Sequence, residues 1–197
     1  MKIEIWSDIA CPWCYVGKRR FERALGSFSH RDEVEIIWRS FELDPAAPLR
    51  HTEKQAHLLA QKYGVSLEQA EAMNANMTAE ATKEGLDFRF DLVQVGNTFD
   101  AHRLGLDAGA ARRVLASNAY ASDVRADEER ARMFGISGVP FFAIDEKYGV
   151  SGAQPPAAIL DVLRQARNES SALPAETSAS QDGCEDGSCR AVTSRLT

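Results

Sequence analysis

The sequence has no long apolar run, no surplus of basic residues and few cysteines. No stretch approaches the roughly 20 apolar residues of a membrane-spanning helix. A net charge of -6 argues against a nucleic-acid-binding surface, and the basic triplet Lys18-Arg19-Arg20 is expected on the solvated face of a helix. An apolar leader is also missing after Met1, so if Met1 is the native start we expect a cytoplasmic protein that meets neither nucleic acid nor membrane.

The composition is that of an ordinary globular protein. At 197 residues, with 44% hydrophobic and 26% charged residues, the chain suits one domain with an elaboration. Its four cysteines form two close pairs, Cys11 with Cys14 and Cys184 with Cys189. In a reducing compartment, such pairs favour catalysis, redox sensing or metal binding over structural disulfides.

The first pair, Cys11-Pro12-Trp13-Cys14, lies between a predicted strand (residues 2–7) and a predicted helix (12–25). A helix N-terminus favours a thiolate, so this spacing indicates reversible thiol–disulfide chemistry. We expect Cys11 to be the exposed, attacking thiol and Cys14 to resolve the mixed disulfide. Pro12 suits the first helical position because its missing N–H would be unpaired there. The alternative, half of a zinc site, needs two further ligands.

The remaining periodicity predicts an α/β fold interrupted by helices. A strand over residues 34–41 completes a βαβ unit in residues 1–52, which implies parallel pairing. Residues 53–135 read as helices, including one that Ser66 opens with a capping box and whose apolar face carries Met73. Two strands, whose close spacing suggests an antiparallel hairpin, and a helix follow in residues 136–169. Residues 170–197 read as a flexible tail.

Four motifs in this order resemble a known family. They are Ser7-Asp8-Ile9-Ala10-Cys11-Pro12-Trp13-Cys14-Tyr15-Val16-Gly17-Lys18, Phe41-Glu42-Leu43, Asn97-Thr98 through His102-Arg103, and Gly138-Val139-Pro140-Phe141-Phe142. The sequence resembles the FrnE-type cytoplasmic dithiol–disulfide isomerases of the DsbA-like thioredoxin superfamily. This implies a thioredoxin-like fold with an inserted α-helical domain, and a cis bond before Pro140. Members usually carry more helix after the His-Arg pair, so this chain is either a short variant or lacks a segment.

The resemblance implies a protein disulfide oxidoreductase or isomerase with a reversible Cys11–Cys14 disulfide and no bound cofactor or metal. Its substrates would be unfolded or misoxidised proteins, and glutathione or a thioredoxin system would recycle the dithiol. The Val139 backbone beside Pro140 would pair with an extended substrate peptide. Trp13, Phe141 and Phe142 are candidates for an apolar rim, although the two phenylalanines fit a strand core better.

Three polar residues have two interpretations each. Asp8 could accept a proton from Cys14 during resolution, or could simply end the strand; geometry decides between these. His102 and Arg103 could line the substrate groove, or could be structural residues of a helix. We favour the structural interpretation for all three.

The second pair, Cys184 and Cys189, suggests a relay. Four intervening residues allow a local Cys184–Cys189 disulfide, and a flexible tether raises the chance of meeting Cys11. An incidental acidic tail is the alternative. Two other functional classes also remain: a glutathione-dependent isomerase or transferase of the same fold, in which serine usually stands where Cys11 does, and a metal-binding or holdase protein that uses all four thiols.

Overall fold

The computed structural model describes residues 1–104 and 114–172. Within these residues, helices are interspersed with the four strands of one mixed sheet. The strands are β1 (Lys2–Ser7), β2 (Glu35–Ser40), β3 (Phe141–Ile144) and β4 (Tyr148–Ser151). The helices are α1 (Pro12–Gly26), α2 (Gln55–Tyr63), α3 (Leu67–Lys83), α4 (Phe99–Leu104), α5 (Ala121–Met133) and α6 (Pro156–Ala172), with a 3-10 turn at Arg31–Glu33.

The sheet has the order β2-β1-β3-β4. As predicted from the βαβ pattern, β1 and β2 are parallel, with Lys2 beside Glu35 and Ser7 beside Ser40. β3 returns antiparallel to β1, and β4 forms a hairpin with β3. Because β1 is central, its carboxyl end positions the residues that follow it, and these include both cysteines of the first pair.

β1 is buried on both faces because helices cover the two sides of the sheet. Ile3 and Ile5 point into the larger core, where Phe21 of α1 stacks on Phe142 and Leu163 of α6 is fully buried. Trp6 points to the opposite face and donates its indole N–H to a backbone carbonyl of α5, 2.9 Å away. Each large side chain buried this way stabilises the fold by about 1.5–3 kcal/mol.

The helices between β2 and β3 pack against α1 as well as against each other. The predicted capping box at Ser66 is present, with Ser66 and Gln69 exchanging hydrogen bonds of 2.9 and 3.1 Å. Met77 and Ala81 of α3 are buried against Val16 of α1. The predicted inward position of Met73 is wrong: the residue is 38% exposed, whereas Ala70 and Met77 of the same helix are buried.

The basic triplet on α1 also differs in part from its prediction. Lys18 and Arg19 are solvated, but the Arg20 side chain is only 14% exposed. Its guanidinium donates to Glu84 at 2.8 Å and to the Ala153 carbonyl at 2.7 Å, which ties α1 to the end of α3. Arg20 therefore connects the sheet-bound helix to the inserted helices.

Two further boundaries differ from the sequence pattern. The N-cap of α5 is Tyr120, with a positive φ of 61°, whereas the sequence pattern favours Ser117 or Ser122 as the cap of this helix. The last helix continues to Ala172, past the composition change at Ser170. In the described part of the chain, no helix combines the length and apolarity that crossing a bilayer requires.

Candidate active site

The two cysteines of the first pair lie at the start of α1, directly after the turn that follows β1. Cys11 is the N-cap residue of α1, in an extended conformation, and Pro12 occupies the first helical turn. The Cys11 N–H donates to the Asp8 carbonyl, and the Cys14 N–H donates to the Cys11 carbonyl, both at 3.1 Å. Cys11 therefore sits at the unsatisfied N–H end of a 15-residue helix, where a negative charge is favoured.

The two thiols have opposite electrostatic environments. A hydrogen bond from the Cys14 thiol lowers the pKa of Cys11; burial opposes this, and the N–H groups of Cys14 and Trp13 add to it. The same contact with Cys11, together with burial, raises the pKa of Cys14. A thiolate therefore forms first on Cys11, and Cys14 stays protonated beside it.

The expectation that Cys11 is exposed is wrong. Its relative exposure is 6%, close to the 4% of Cys14, and both are free thiols. The covering group is the Val139 carbonyl, whose oxygen lies 3.6 Å from the Cys11 sulfur.

Val139 and Pro140 are joined by a cis peptide bond, as the resemblance implied, and directly precede β3. Gly17 of α1 makes this approach of loop and helix possible. A Cβ on Gly17 would lie 2.7 Å from Pro140 Cγ, which is too close for an unshifted structure. In the sequence, Gly17 stands out only as part of a motif; its position inside a helix, where glycine is unfavourable, was the available signal.

We expect Gly17→Ala to destabilise the protein by about 1–3 kcal/mol, because the proline ring cannot move aside like a flexible side chain. An uncrowded helix would instead gain about 0.5–1 kcal/mol from the same change. Displacing Pro140 would also lower thiol–disulfide turnover, by up to about 10²-fold. Urea unfolding and a turnover assay measure the two effects. Gly26→Ala is the matched control, since a Cβ at that glycine would have no atom within 4 Å; equal behaviour of both variants would contradict the prediction.

Asp8 is a buried carboxylate, 2% exposed, at the end of β1. One oxygen accepts the Leu43 N–H at 2.7 Å; the other accepts the Ala10 N–H at 3.1 Å and lies 3.4 Å from His102 Nε2. Burial raises the pKa of Asp8, but the nearby His102 ring and the hydrogen bonds from the Leu43 and Ala10 N–H groups outweigh it and hold the pKa below its usual value. Asp8 is therefore a charged group that holds the turn before Cys11.

His102 brings α4 to the active-site turn through this contact. Its side chain is 7% exposed, and Thr98 from the same segment also hydrogen-bonds Asp8. Asp8 and His102 are far apart in the sequence, so only the fold shows that they meet. Ser7 was missed for the same reason: its hydroxyl hydrogen-bonds Cys14, which partly offsets the raised pKa of that thiol.

Arg103, next to His102, is bonded to the segment that precedes α5. Its buried guanidinium donates to three backbone carbonyls, of Val114, Ser117 and Ala119, and to Asp100. These contacts hold the segment that precedes α5. They agree with the structural interpretation of Arg103 and leave no groove contact for it among the described residues.

A second buried carboxylate, Glu42, supports the loop that carries Leu43. It accepts hydrogen bonds from Asn97 Nδ2 at 3.2 Å and from Arg125 at 2.5 Å. The side-chain oxygen Oδ1 of Asn97 in turn accepts the Phe99 N–H at 2.9 Å and so begins α4. Glu42 therefore links the end of β2 with α4 and α5, and through Leu43 it positions the loop against Asp8.

Apolar side chains are exposed around the cysteine turn. Ile9, Trp13, Tyr15 and Leu43 are each 41–50% exposed, and Tyr15 packs edge-on against Phe88. Phe142, by contrast, is buried in the core, and Phe141 packs on Trp6. Trp13 is thus the one proposed rim residue of the original three that is exposed. Cys184 and Cys189 lie outside the described residues, as does the stretch after Leu104.

The fold and the paired thiols define a thioredoxin-fold protein with a dithiol at the start of its first helix. The chain matches the family of DsbA-like thioredoxin domains over residues 2–104 and 101–164. It therefore belongs to the DsbA-like thioredoxin family, and the predicted α/β thioredoxin-like fold is confirmed.

Similar proteins include one solved structure that covers nearly the whole chain. A probable DsbA oxidoreductase from Streptomyces coelicolor is 41% identical, with a TM-score of 0.83 over 95% of this chain and 100% of that one. A 2-hydroxychromene-2-carboxylate isomerase has a TM-score of 0.55 at 13% identity, covering 89% of this chain and 100% of the isomerase, which is a likeness of fold. The uncharacterized protein YwbO of Bacillus subtilis is 43% identical over 44 residues, which are 22% of this chain and 20% of YwbO.

Proposed function

We propose that the protein is a protein disulfide oxidoreductase or isomerase of the FrnE type, acting in the cytoplasm on unfolded or misoxidised proteins. The supporting observation is the lowered pKa of Cys11 at the N-terminus of α1, with the Cys14 thiol hydrogen-bonded to its sulfur. Such a pair attacks a disulfide without any bound cofactor. The exposed Ile9, Trp13 and Leu43 suit an apolar stretch of a substrate chain.

The reaction exchanges one disulfide for another. The Cys11 thiolate attacks a substrate sulfur, the substrate S–S bond breaks, and one substrate sulfur leaves as a thiolate that takes up a proton. Cys14 then loses its proton and attacks Cys11, which releases the second substrate thiol and leaves a Cys11–Cys14 disulfide. The substrate gains two electrons and the site loses two. Glutathione or a thioredoxin system would return them. For isomerisation, another substrate thiolate attacks the substrate sulfur of the mixed disulfide before Cys14 attacks Cys11, which forms a new substrate disulfide and releases the Cys11 thiolate.

The assay that tests this function pairs reduction of insulin disulfides with recovery of scrambled ribonuclease. We expect activity in both when a thiol reductant is supplied. Inactivity in both, with turnover of a small glutathione conjugate instead, would favour the glutathione-dependent isomerase class. A stoichiometric metal in the reduced protein would favour the metal-binding alternative; among the described residues no group of three or more His, Cys, Asp and Glu is arranged to hold one, and that alternative depends on Cys184 and Cys189.

We infer that Asp8 positions the active-site turn and does not transfer protons, because backbone N–H groups hold both of its oxygens and its lowered pKa makes it a weak base. Its negative charge raises the pKa of Cys11. Asp8→Asn should therefore lower that pKa further, so that alkylation of Cys11 becomes faster at acidic pH. Stopped-flow alkylation across pH measures this, with Asp44→Asn, an exposed residue of the neighbouring loop, as control. General bases contribute about 10²–10⁴-fold; a loss of that size in Cys14 resolution would assign Asp8 to proton transfer.

The second pair remains a proposal: Cys184 and Cys189 take up the disulfide from Cys11 and Cys14 and so return the active site to its reduced state. In a Cys184→Ser, Cys189→Ser variant we expect the active-site pair to stay oxidised for longer after reaction with substrate, and turnover to fall. Alkylation mapping by mass spectrometry measures the redox state of each thiol. An unchanged active-site redox state together with unchanged turnover would eliminate the relay.

A further inference from the structure

The edge strand β2 has an unpaired side. Among the described residues it pairs with β1 alone, at one end of the sheet order. The Glu35 N–H donates to the Met1 carbonyl of the neighbouring chain segment at 2.9 Å, so Glu35 and every second residue after it face β1. The N–H and C=O groups of Ile36 and Trp38 consequently point away from the sheet.

The open stretch of this edge is short and apolar. At its end, the outward Ser40 N–H is already taken by Asp127 Oδ2 at 2.9 Å. The side chains of Ile36 and Trp38 are 38% and 48% exposed, although they stand beside the buried Ile3 and Ile5 of β1. An edge strand with unpaired backbone N–H and C=O groups and large exposed apolar side chains tends to pair with a strand of another chain.

The residues of this edge are complementary to themselves. On either side of Ile37, the segment Glu35-Ile36-Ile37-Trp38-Arg39 has an acid at one end, a base at the other and apolar residues between. An antiparallel second copy centred on Ile37 places Ile36 opposite Trp38 and Glu35 opposite Arg39, twice each. Since opposite charges and aromatic–aliphatic pairs stabilise facing strands, one register satisfies both kinds of contact.

The backbone agrees with that register. Ile36 and Trp38 both point outward, so each forms a hydrogen-bonded pair with the other residue of the second copy, and the two copies of Ile37 meet as a non-hydrogen-bonded pair. A register shifted by one residue would oppose inward-pointing groups. Arg39 donates hydrogen bonds to Glu4 and Asp127 on the face of the sheet that carries Glu35 and Ile37. In the proposed register, Glu35 of the second copy brings a third carboxylate next to Arg39.

We propose that the protein forms a two-fold symmetric dimer in which the β2 strands of two copies pair antiparallel and join the two sheets into one of eight strands. The partner is thus a second copy of this chain. Because the strands run in opposite directions, the carboxyl ends of the two β1 strands point to opposite ends of the joined sheet. Both Cys11 sites stay open, so the dimer is compatible with catalysis at each.

Molar mass in solution is the first test. Size-exclusion chromatography with light scattering should give twice the 21.7 kDa of one chain for the full-length protein. Trp38→Glu should reduce the mass to that of one chain, because it puts an acid opposite Ile36 of the second copy. Leu49→Glu, an equal change at a residue 84% exposed elsewhere, should leave the dimer intact. If the unaltered protein has the mass of a single chain, the proposal is wrong. This holds also where the reason is that residues 173–197 cover the β2 edge.

The register is tested by cross-linking in the full chain with all four cysteines replaced by serine. Facing residues of a non-hydrogen-bonded pair have Cα atoms about 4.5 Å apart, within disulfide range. Ile37→Cys should therefore give a covalent dimer on mild oxidation. Glu35→Cys should not, since its two copies lie about 13 Å apart along the strands. Cross-linking through Glu35→Cys, or through neither variant, contradicts this pairing.

Discussion

A Cys11→Ser variant is expected to reduce insulin disulfides no faster than the uncatalysed reaction. The hydroxyl of serine does not ionise near neutral pH and forms no disulfide, so the mixed-disulfide step is lost entirely. Stability should change little, because serine occupies nearly the volume of cysteine at this N-cap position and is itself a favoured cap. Far-UV circular dichroism and urea unfolding would verify that the variant is folded.

Cys14→Ser is the matched variant, and it should fail at a different step. With Cys11 still present, attack on the substrate proceeds, but resolution does not, so a covalent complex with the substrate accumulates on non-reducing gels. The alkylation profile separates the two thiols further. The thiol that reacts at lower pH should be Cys11, whose pKa is lowered by the Cys14 thiol, and this advantage should shrink in Cys14→Ser. A covalent complex formed by Cys11→Ser and not by Cys14→Ser would reverse the roles.

Local patterns were enough to predict the frame of the fold. The βαβ unit, the Ser66 capping box and the β3–β4 hairpin each depend on residues close in sequence, and each is present. Met73 was misplaced because helical spacing defines a face but does not say how much of it a neighbouring helix covers. The exposure of Cys11 was misjudged for a related reason, since the covering Val139 carbonyl comes from a distant part of the chain.

The residues that position the active-site turn cannot be predicted from local sequence patterns. Asp8 lies beside Cys11 in the sequence and His102 lies in a distant helix, so their contact depends on how α4 returns to the end of β1. Glu42 was visible only as part of a motif, and its bonds to Asn97 and Arg125 connect three elements. No local sequence pattern marks residues with such roles, and only their contacts in the tertiary structure distinguish them.

A second large effect is expected from Glu4, a carboxylate 1% exposed in the middle of β1. Arg39 donates to it at 2.6 and 2.9 Å, and so does Arg130. Burial raises the pKa of Glu4, but these two arginines outweigh it and bring the pKa from 4.5 to about 2. Because the folded state holds this proton less tightly than the unfolded chain, the resulting stability is present above pH 4.5 and is lost as the pH falls toward 2.

The size of that shift corresponds to about 3 kcal/mol of stability at neutral pH. Glu4→Gln should therefore lower the free energy of unfolding by about 3 kcal/mol at pH 7, since it leaves two partly buried guanidinium groups without their shared partner. Near pH 2 the variant and the unaltered protein should converge. Urea unfolding of the reduced protein at both pH values measures this difference. Glu146→Gln is the control: it also removes a partner of Arg130, but from a position 53% exposed, and should cost less than about 1 kcal/mol. Two outcomes would contradict this prediction: Glu4→Gln lowers the free energy of unfolding at pH 7 no more than Glu146→Gln does, or the Glu4→Gln variant loses as much stability between pH 7 and pH 2 as the unaltered protein. Either would show that the contacts of Glu4 with Arg39 and Arg130 do not stabilise the sheet.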